Sequence, residues 1–358
     1  MAGSTKYFIL VYSIFFVVTL IFSIIINKLL LRFSKTLGIR DKEVVQPRWS
    51  FVNKPSLGGI SFYICFLLSV IAYPYFLDPT ALLYNYTFLG LIWAATLAFI
   101  MGLFDDSFNT NVWIKLLSQI SCALILILTG TCITIFDNQY LNYAITIIWV
   151  VGIMNSINML DNMDAIATSV TLPLILSIII VLITFSGFKN SYLFSLIGLS
   201  AALIGFLFFN WHPSKMIMGD TGSQFLGLIL AFLGITFFWN FKTVNGITTI
   251  TQKFISVALA FALPIIDTTT VFIKRIKKGH SPFIGGKDHT THHLSYMGIS
   301  EKNIAIIYFV ITSIFTFLSI TVLYLIPVWY FVHAIVFSLF FIILFVILFY
   351  IANKNCEN

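Results

Sequence analysis

Between residues 7 and 352 the chain is a succession of long apolar segments separated by short polar loops, and few architectures can absorb that pattern. Eleven segments stand out, at roughly 7–31, 59–77, 86–104, 113–132, 140–157, 165–186, 191–209, 222–240, 252–274, 303–325 and 329–352. As helices they match the ~30 Å of hydrocarbon in a bilayer. Hydrophobic residues make up 59% of the 358 positions and charged residues only 9%, with a mean hydropathy of +1.00, which excludes an ordinary water-soluble domain. In lipid each backbone amide must be bonded within its own segment, and these runs are too long and too uniformly apolar for barrel strands. The expectation is an all-α, polytopic integral membrane helix bundle of about eleven transmembrane helices, a single domain over 1–358. The first run, "KYFILVYSIFFVVTLIFSIII", lacks a small-residue cleavage site and is taken as a retained helix.

An odd number of spans puts the termini on opposite sides. If the loops after spans 1, 3, 5, 7 and 9 share a face with the C-terminal tail, that face holds 16 of the 20 Lys and Arg, and only Lys6, Lys189, Lys242 and Lys253 lie opposite. By the positive-inside rule the rich face is cytoplasmic and the N-terminus is outside. Cys65, Cys122, Cys132 and Cys356 form no CxxC pair, so no disulfide framework or zinc site is implied. Walker, GxSxG, HExxH and dinucleotide fingerprints are absent, and nothing indicates a nucleic-acid partner.

The few acids are placed unevenly. Asp105 and Asp106 close span 3 in "GLFDD", Asp161 and Asp164 follow span 5 in "NSINMLDNMDAIA", Asp220 follows span 7 in "HPSKMIMGDTGS", and Asp288 follows span 9. All fall on the Lys- and Arg-rich face. Five carboxylates from three short loops can converge there, and each costs about 2.5–3.5 kcal/mol at bilayer depth without a partner. A divalent cation is the economical partner, and oxygen donors suit Mg2+ or Mn2+ better than Zn2+. Helix capping is the competing account for Asp161, Asp164 and Asp220. Asp105 and Asp106 resist it best, because adjacent like charges repel unless a cation or proton separates them.

"MGDTGS" supplies a second half of such a site. Gly219 and Gly222 permit close backbone approach, and the free N–H groups at the start of span 8 favour anions. With Lys54, Lys215 and the histidines of "DHTTHHL" on the same face, the implied ligand is a metal-bound phosphate or diphosphate. His289, His292 and His293 read more easily as anion donors than as metal ligands, and His212 and His280 have no partner visible in sequence. Asp267, inside span 9, is either a functional acid or the partner of Lys274 or Arg275.

In order and position, "NKPSLGGI", "GLFDD", "NSINMLDNMDAIA", "FNWHPSKMIMGDTGSQFLG", "LPIIDTTTVFIKR" and "HTTHHL" resemble the loops of the polyprenyl-phosphate N-acetylhexosamine-1-phosphate transferases, glycosyltransferase family 4, over about residues 40 to 300. The resemblance implies a multi-pass enzyme of the bacterial inner membrane with its active site at the cytoplasmic face. Such an enzyme moves N-acetylhexosamine-1-phosphate, N-acetylglucosamine-1-phosphate foremost, from a UDP-sugar to polyprenyl (undecaprenyl) phosphate. It uses Mg2+, releases UMP and performs the first membrane step of cell-envelope glycan synthesis; a homodimer is compatible with it. By position, Asp220 resembles the metal ligand, and Asp105 and Asp106 the paired acids, of which Asp106 is assigned to the metal. Asn158, Asp161, Asp164 and Asn210 resemble the nucleotide end of the pocket, with Lys54 near the diphosphate, and His289, His292 and His293 the loop that closes over the sugar phosphate.

Two departures bear on the donor. Where many members read "DGLDGLA" this chain has "DNMDAIA", with Asn162 and Ala165 in place of glycines, and "IGGKD" precedes the histidines. The "NWHPSK" and "HTTHHL" stretches are more similar to the N-acetylglucosamine side of the family than to the muramoyl-pentapeptide branch. A phosphate nucleophile is already ionised near neutral pH, so a general base is optional. The competing class is a cation- or proton-coupled transporter, whose acids belong near the bilayer midplane rather than at one face.

Overall fold

A helix bonds its own amides, and in the computed structural model helices carry most of the described residues, 2–34, 54–76, 85–241, 248–279, 281 and 286–354. In chain order they are α1 (Ala2–Phe33), α2 (Gly58–Phe76), α3 (Tyr86–Phe108), α4 (Val112–Leu128), α5 (Gln139–Leu160), α6 (Ile166–Val181), α7 (Ser191–Asn210), α8 (Gly219–Gly234), α9 (Ile250–Ala260), α10 (Ala262–Lys277), α11 (Thr290–Tyr296), α12 (Glu301–Ile320) and α13 (Phe331–Lys354). The described residues contain no strand, only one isolated parallel bridge between Ser56 and Ile217.

Nine of these helices are long and apolar enough to cross a membrane, and ten spans result if α9 and α10 count as one. The eleven spans expected from sequence are reached only if α4 is added. At 17 residues it is short, about 25 Å at 1.5 Å per residue. It nevertheless runs back along α3, with Lys115 beside Asp105 at one end and Cys122 Sγ 3.5 Å from Ala94 O further along. Span 9 also differs from its expected form. It is broken at Phe261, with an 80° bend between α9 and α10. Pro264 explains the break, since its ring nitrogen has no hydrogen for the carbonyl of Ala260 and its ring would clash with that group in a continuous helix.

α8 is the most enclosed span, 89% buried inside the bundle, and α2, α3 and α5 pack around it. Gly102 lets α3 approach closely, because a Cβ there would lie 2.4 Å from the carbonyl oxygen of Asp220. The start of α8 is thereby pressed against the end of α3, and this contact builds the site. At the opposite end Tyr12 of α1 donates to Phe188 O beyond α6. Near the site, Lys274 donates to Ala352 O at the end of α13 (2.6 Å). α1 therefore begins at the end of the bundle remote from the site, and α13 finishes at the site end.

Candidate functional site

Gly219 opens α8 with φ +72°, a left-handed backbone that favours glycine, and a Cβ there would sit 2.5 Å from Asp106 Oδ2. That opening lets the Asp106 carboxylate reach across from α3. It accepts from the amide of Asp220 (3.1 Å) and from the amide and hydroxyl of Thr221 (2.8 and 2.6 Å). Asp106 is thus the N-terminal cap of α8, a negative charge at the positive end of the helix dipole. Two expectations change. The first amides of α8, offered by sequence to a substrate phosphate, are bound by the protein's own carboxylate. Asp106, expected to share a metal with Asp220, has both oxygens engaged in the cap.

Asp105 serves different partners because successive helical residues diverge by about 100°. It accepts from Thr110 (amide 2.9 Å, hydroxyl 2.5 Å) and from Lys115 Nζ (2.9 Å). Lys115 also donates to Asp220 Oδ1 (3.1 Å) and Asn158 Oδ1 (3.3 Å). Asn158 Nδ2 donates to Asp220 and to Ser223 Oγ (2.8 Å). Three carboxylates, Asp105, Asp106 and Asp220, thus stand against one ammonium at the meeting point of α3, α4, α5 and α8. The Asp220 side chain is 31% exposed and that of Asp105 10%, so Asp220 is the more accessible of the two. Lys115 was not singled out from sequence. Its signal was its place in the first turn after the acid pair, on the same face.

One helical turn deeper, Gln119, Asn155 and Gln224 repeat the pattern of Lys115, Asn158 and Asp220. Gln119 Nε2 donates to Asn155 Oδ1 (3.1 Å) and Gln224 Oε1 (3.0 Å), and Asn155 Nδ2 returns a bond to Gln119 Oε1 (2.9 Å). These amides hold α4, α5 and α8 in register beneath the charged layer. They too were missed.

A second node forms around Asp164, between α5 and α6. It receives Lys54 Nζ (2.9 Å), Ser214 Oγ (2.7 Å), Ser214 N (3.0 Å) and the His212 ring (3.0 Å). Burial works against its charge, but the bonds from Ser214 and Lys54 more than offset this and hold the carboxyl below its usual range. Asp164, His212 and Glu301 bring their ligand atoms within 4.8 Å of one another. With Lys54 and Ser214 already on Asp164, we read the group as an ion-pair node that joins three segments. Asn210 supports it: only 2% exposed, it accepts from Ala165 N (3.0 Å) and donates to Met216 O (2.9 Å). It therefore shapes the loop rather than presenting a free amide. Asp161 ends α5, and Lys215 is exposed, outside both nodes.

Ala165 stands at φ +64°, where a Cβ costs about 1–2 kcal/mol. Ala165→Gly is expected to stabilise the protein by on the order of 0.5 kcal/mol after the greater chain entropy of glycine is deducted. A higher midpoint of thermal unfolding in detergent checks this, and a lower one refutes it.

The histidines lie on or beside α11, all nearly buried. His289 Nδ1 bonds Asp267 Oδ2 (2.8 Å), and His293 Nε2 meets Lys274 Nζ (2.7 Å). Burial, then the neighbouring His289, pushes His292 down to about 3, and burial, then Lys274, pushes His293 down to about 4. Both are neutral at physiological pH, so the expected trio of anion donors is not a set of three equivalent cations. Thr291 Oγ1 donates to Asn162 Oδ1 (2.7 Å), tying α11 to the α5–α6 loop through the residue that departs from the glycine pattern. His280 and Cys356 lie outside the described residues.

Residues 88–238 match the sequence model of a family described as glycosyl transferase family 4. Among curated relatives, a Bacillus subtilis (strain 168) protein named "Probable undecaprenyl-phosphate N-acetylglucosaminyl 1-phosphate transferase" is 28% identical over 317 residues, 85% of this chain and 83% of the relative. A decaprenyl-phosphate N-acetylglucosaminephosphotransferase of Mycolicibacterium smegmatis is 26% identical over 82% of this chain and 78% of its own. A phospho-N-acetylmuramoyl-pentapeptide-transferase of Carboxydothermus hydrogenoformans is 27% identical over 74% of this chain and 83% of its own.

Proposed function

Because the chain belongs to glycosyl transferase family 4, we propose that it is a sugar-1-phosphate transferase acting on polyprenyl phosphate. The donor in this reading is a UDP-N-acetylhexosamine, UDP-N-acetylglucosamine before the others, and UMP leaves. The observation that carries the reading is the cluster of Asp105, Lys115, Asn158 and Asp220 at the end of an apolar bundle, with Asp106 behind it. Its two uncompensated negative charges call for a divalent cation. The donor set of carboxylate and amide oxygens has the hardness of Mg2+ or Mn2+, so the residues fit the metal. Asp220 and Asp105, with Asn158, would hold it, and bound there it would supply Lewis-acid stabilisation of the diphosphate.

The chain's own groups account for the remaining work. Transfer brings the lipid phosphate and the diphosphate together, several negative charges in a small volume. Lys115 places one positive charge between Asp105 and Asp220, and Lys54 another on Asp164. Preset cations of this kind stabilise charge as it develops without reorganising. The attacking oxygen needs no base. We place Asn158 and the Asp161–Asp164 loop at the nucleotide end and His289 over the sugar phosphate. The site faces the cytoplasm in this reading, as the Lys and Arg partition favours. The acids lie at the ends of α3 and α5 and the start of α8, which does not favour a midplane transport site.

One assay tests activity and orientation together. Sealed inverted vesicles containing the protein should release UMP when given polyprenyl phosphate and an externally added UDP-N-acetylhexosamine, and sealed right-side-out vesicles should not. A panel of UDP-sugars, including the muramoyl-pentapeptide donor, identifies the sugar. No release with any donor in opened membranes would sink the proposal, and activity confined to right-side-out vesicles would reverse the orientation.

A further inference from the structure

α10 meets the histidine segment with three charged side chains. Arg275 binds Asp288 through two bonds (2.7 and 2.9 Å), and Lys274 holds both His293 and the end of α13. Asp267, nearly two turns past the break at Phe261, is 1% exposed. It accepts from His289 Nδ1 (2.8 Å), Thr290 N (2.8 Å) and Thr290 Oγ1 (2.6 Å). The Thr290 hydroxyl in turn meets Tyr308 OH of α12 (2.6 Å). These contacts join three helices around one buried carboxylate.

A carboxylate with three donors is held ionised, and an ionised carboxylate only accepts. The proton must therefore lie on Nδ1 of His289, which leaves Nε2 as the ring atom offered elsewhere. A buried charge also needs an opposite charge, and among the described residues His289 is the basic group within ion-pair distance of Asp267. On the same segment as His289 stand Asp288 and the neutral His292 and His293, while Lys274 and Arg275 of α10 bind His293 and Asp288, and Tyr308 of α12 meets Thr290. The His292 ring lies edge-on at 5.4 Å. Asp267 touches the His289 ring with negative charge.

We infer that Asp267 is a positioning residue that keeps His289 as an imidazolium, with Nδ1 bound inward and the Nε2 N–H presented to the transferring phosphate. The inference rests on the placement of His289 over the sugar phosphate proposed above. The charge and tautomer of the ring can be read without any substrate, so the two ideas fail separately.

The full-length protein in lipid nanodiscs, labelled with 15N-histidine, provides the first arm, with His289 assigned by comparison with His289→Gln. At pH 7 both ring nitrogens of His289 should be protonated in the wild-type protein, and Asp267→Asn should leave the ring neutral. A wild-type Nδ1 without its proton overturns the inference, whether or not any variant folds. The second arm is UMP release against pH. Because the carboxylate favours the protonated ring, activity that needs the imidazolium is lost as pH rises through its pKa. In Asp267→Asn that alkaline limb should move towards acid, because the carboxylate that favours the protonated ring is gone. Turnover should fall about 10²-fold while KM for the donor changes less than about threefold. In a His289→Ala background the Asp267→Asn change should cost nothing further, since one residue acts through the other. Additive losses, or an unmoved pH profile, mean that Asp267 only supports the fold. If the wild type releases no UMP from any donor, the transferase reading falls and the labelling arm still decides the state of His289.

Discussion

Asp220→Asn should reduce UMP release by on the order of 10³-fold or more and leave the protein folded and inserted. Asp220 combines the accessible carboxylate of the cluster with contacts to Lys115 and Asn158. An amide of the same size keeps the shape but removes the charge that holds a hard divalent ion, and its NH2 faces the Lys115 ammonium. The fold should survive because the amides that begin α8 are capped by Asp106, not by Asp220. Asp106→Asn therefore differs in kind. It replaces one acceptor oxygen with a donor facing backbone N–H groups, and loss of a cap costs about 1–2 kcal/mol. Stability should fall together with activity. Asp105→Asn should impair activity without the drop in stability. UMP release, Mg2+ affinity and the thermal midpoint, measured on the three purified variants, separate these roles. Near-normal turnover in Asp220→Asn would falsify its metal role, and an Asp106→Asn protein as stable as wild type would remove the cap.

The bundle was legible because lipid imposes a length and a composition on every span, and both are local properties. The bend at Phe261 was also written locally, in Pro264 of "ALPIID", but the apolar run continues through it and hides the break. The acids were found for the same local reason, as rare charges at span ends. Their division of labour was not legible. Asp105 and Asp106 look like one unit in "FDD", yet a 100° turn between them sends one to Lys115, ten residues on, and the other to amides 114 and 115 residues away. Which helix end a carboxylate caps is set by packing, here by the close approach at Gly102. The histidines teach the same lesson. "HTTHH" reads as three equivalent donors, but burial leaves His292 and His293 neutral, while His289 bonds the Asp267 carboxylate directly. Asn162, noted as a departure from the glycine pattern, gained meaning only when Thr291 was found beside it.

Lys115→Gln should lower turnover by about 10²-fold or more and, at the same time, strengthen divalent-cation binding. The ammonium lies 2.9 Å from Asp105 and 3.1 Å from Asp220, so it competes with any metal for the same oxygens. Removing it takes the local charge from two negatives to three, and at a few ångströms each unit charge matters strongly even with partial solvent screening. A residue that only neutralised the acids would be replaceable, and raising Mg2+ would then restore the rate. A residue that also meets the developing charge of the phosphates would not be. We propose the second role, because Lys115 touches Asp105, Asn158 and Asp220 together, and a metal held on those oxygens would compete with its ammonium for them. Lys115→Arg should recover part of the rate, since it keeps the charge with a different shape. Mn2+ binding by calorimetry and UMP release titrated with Mg2+ give the two readouts. Weaker cation binding in Lys115→Gln, or full rescue by excess Mg2+, would show that Lys115 serves only to balance its acids.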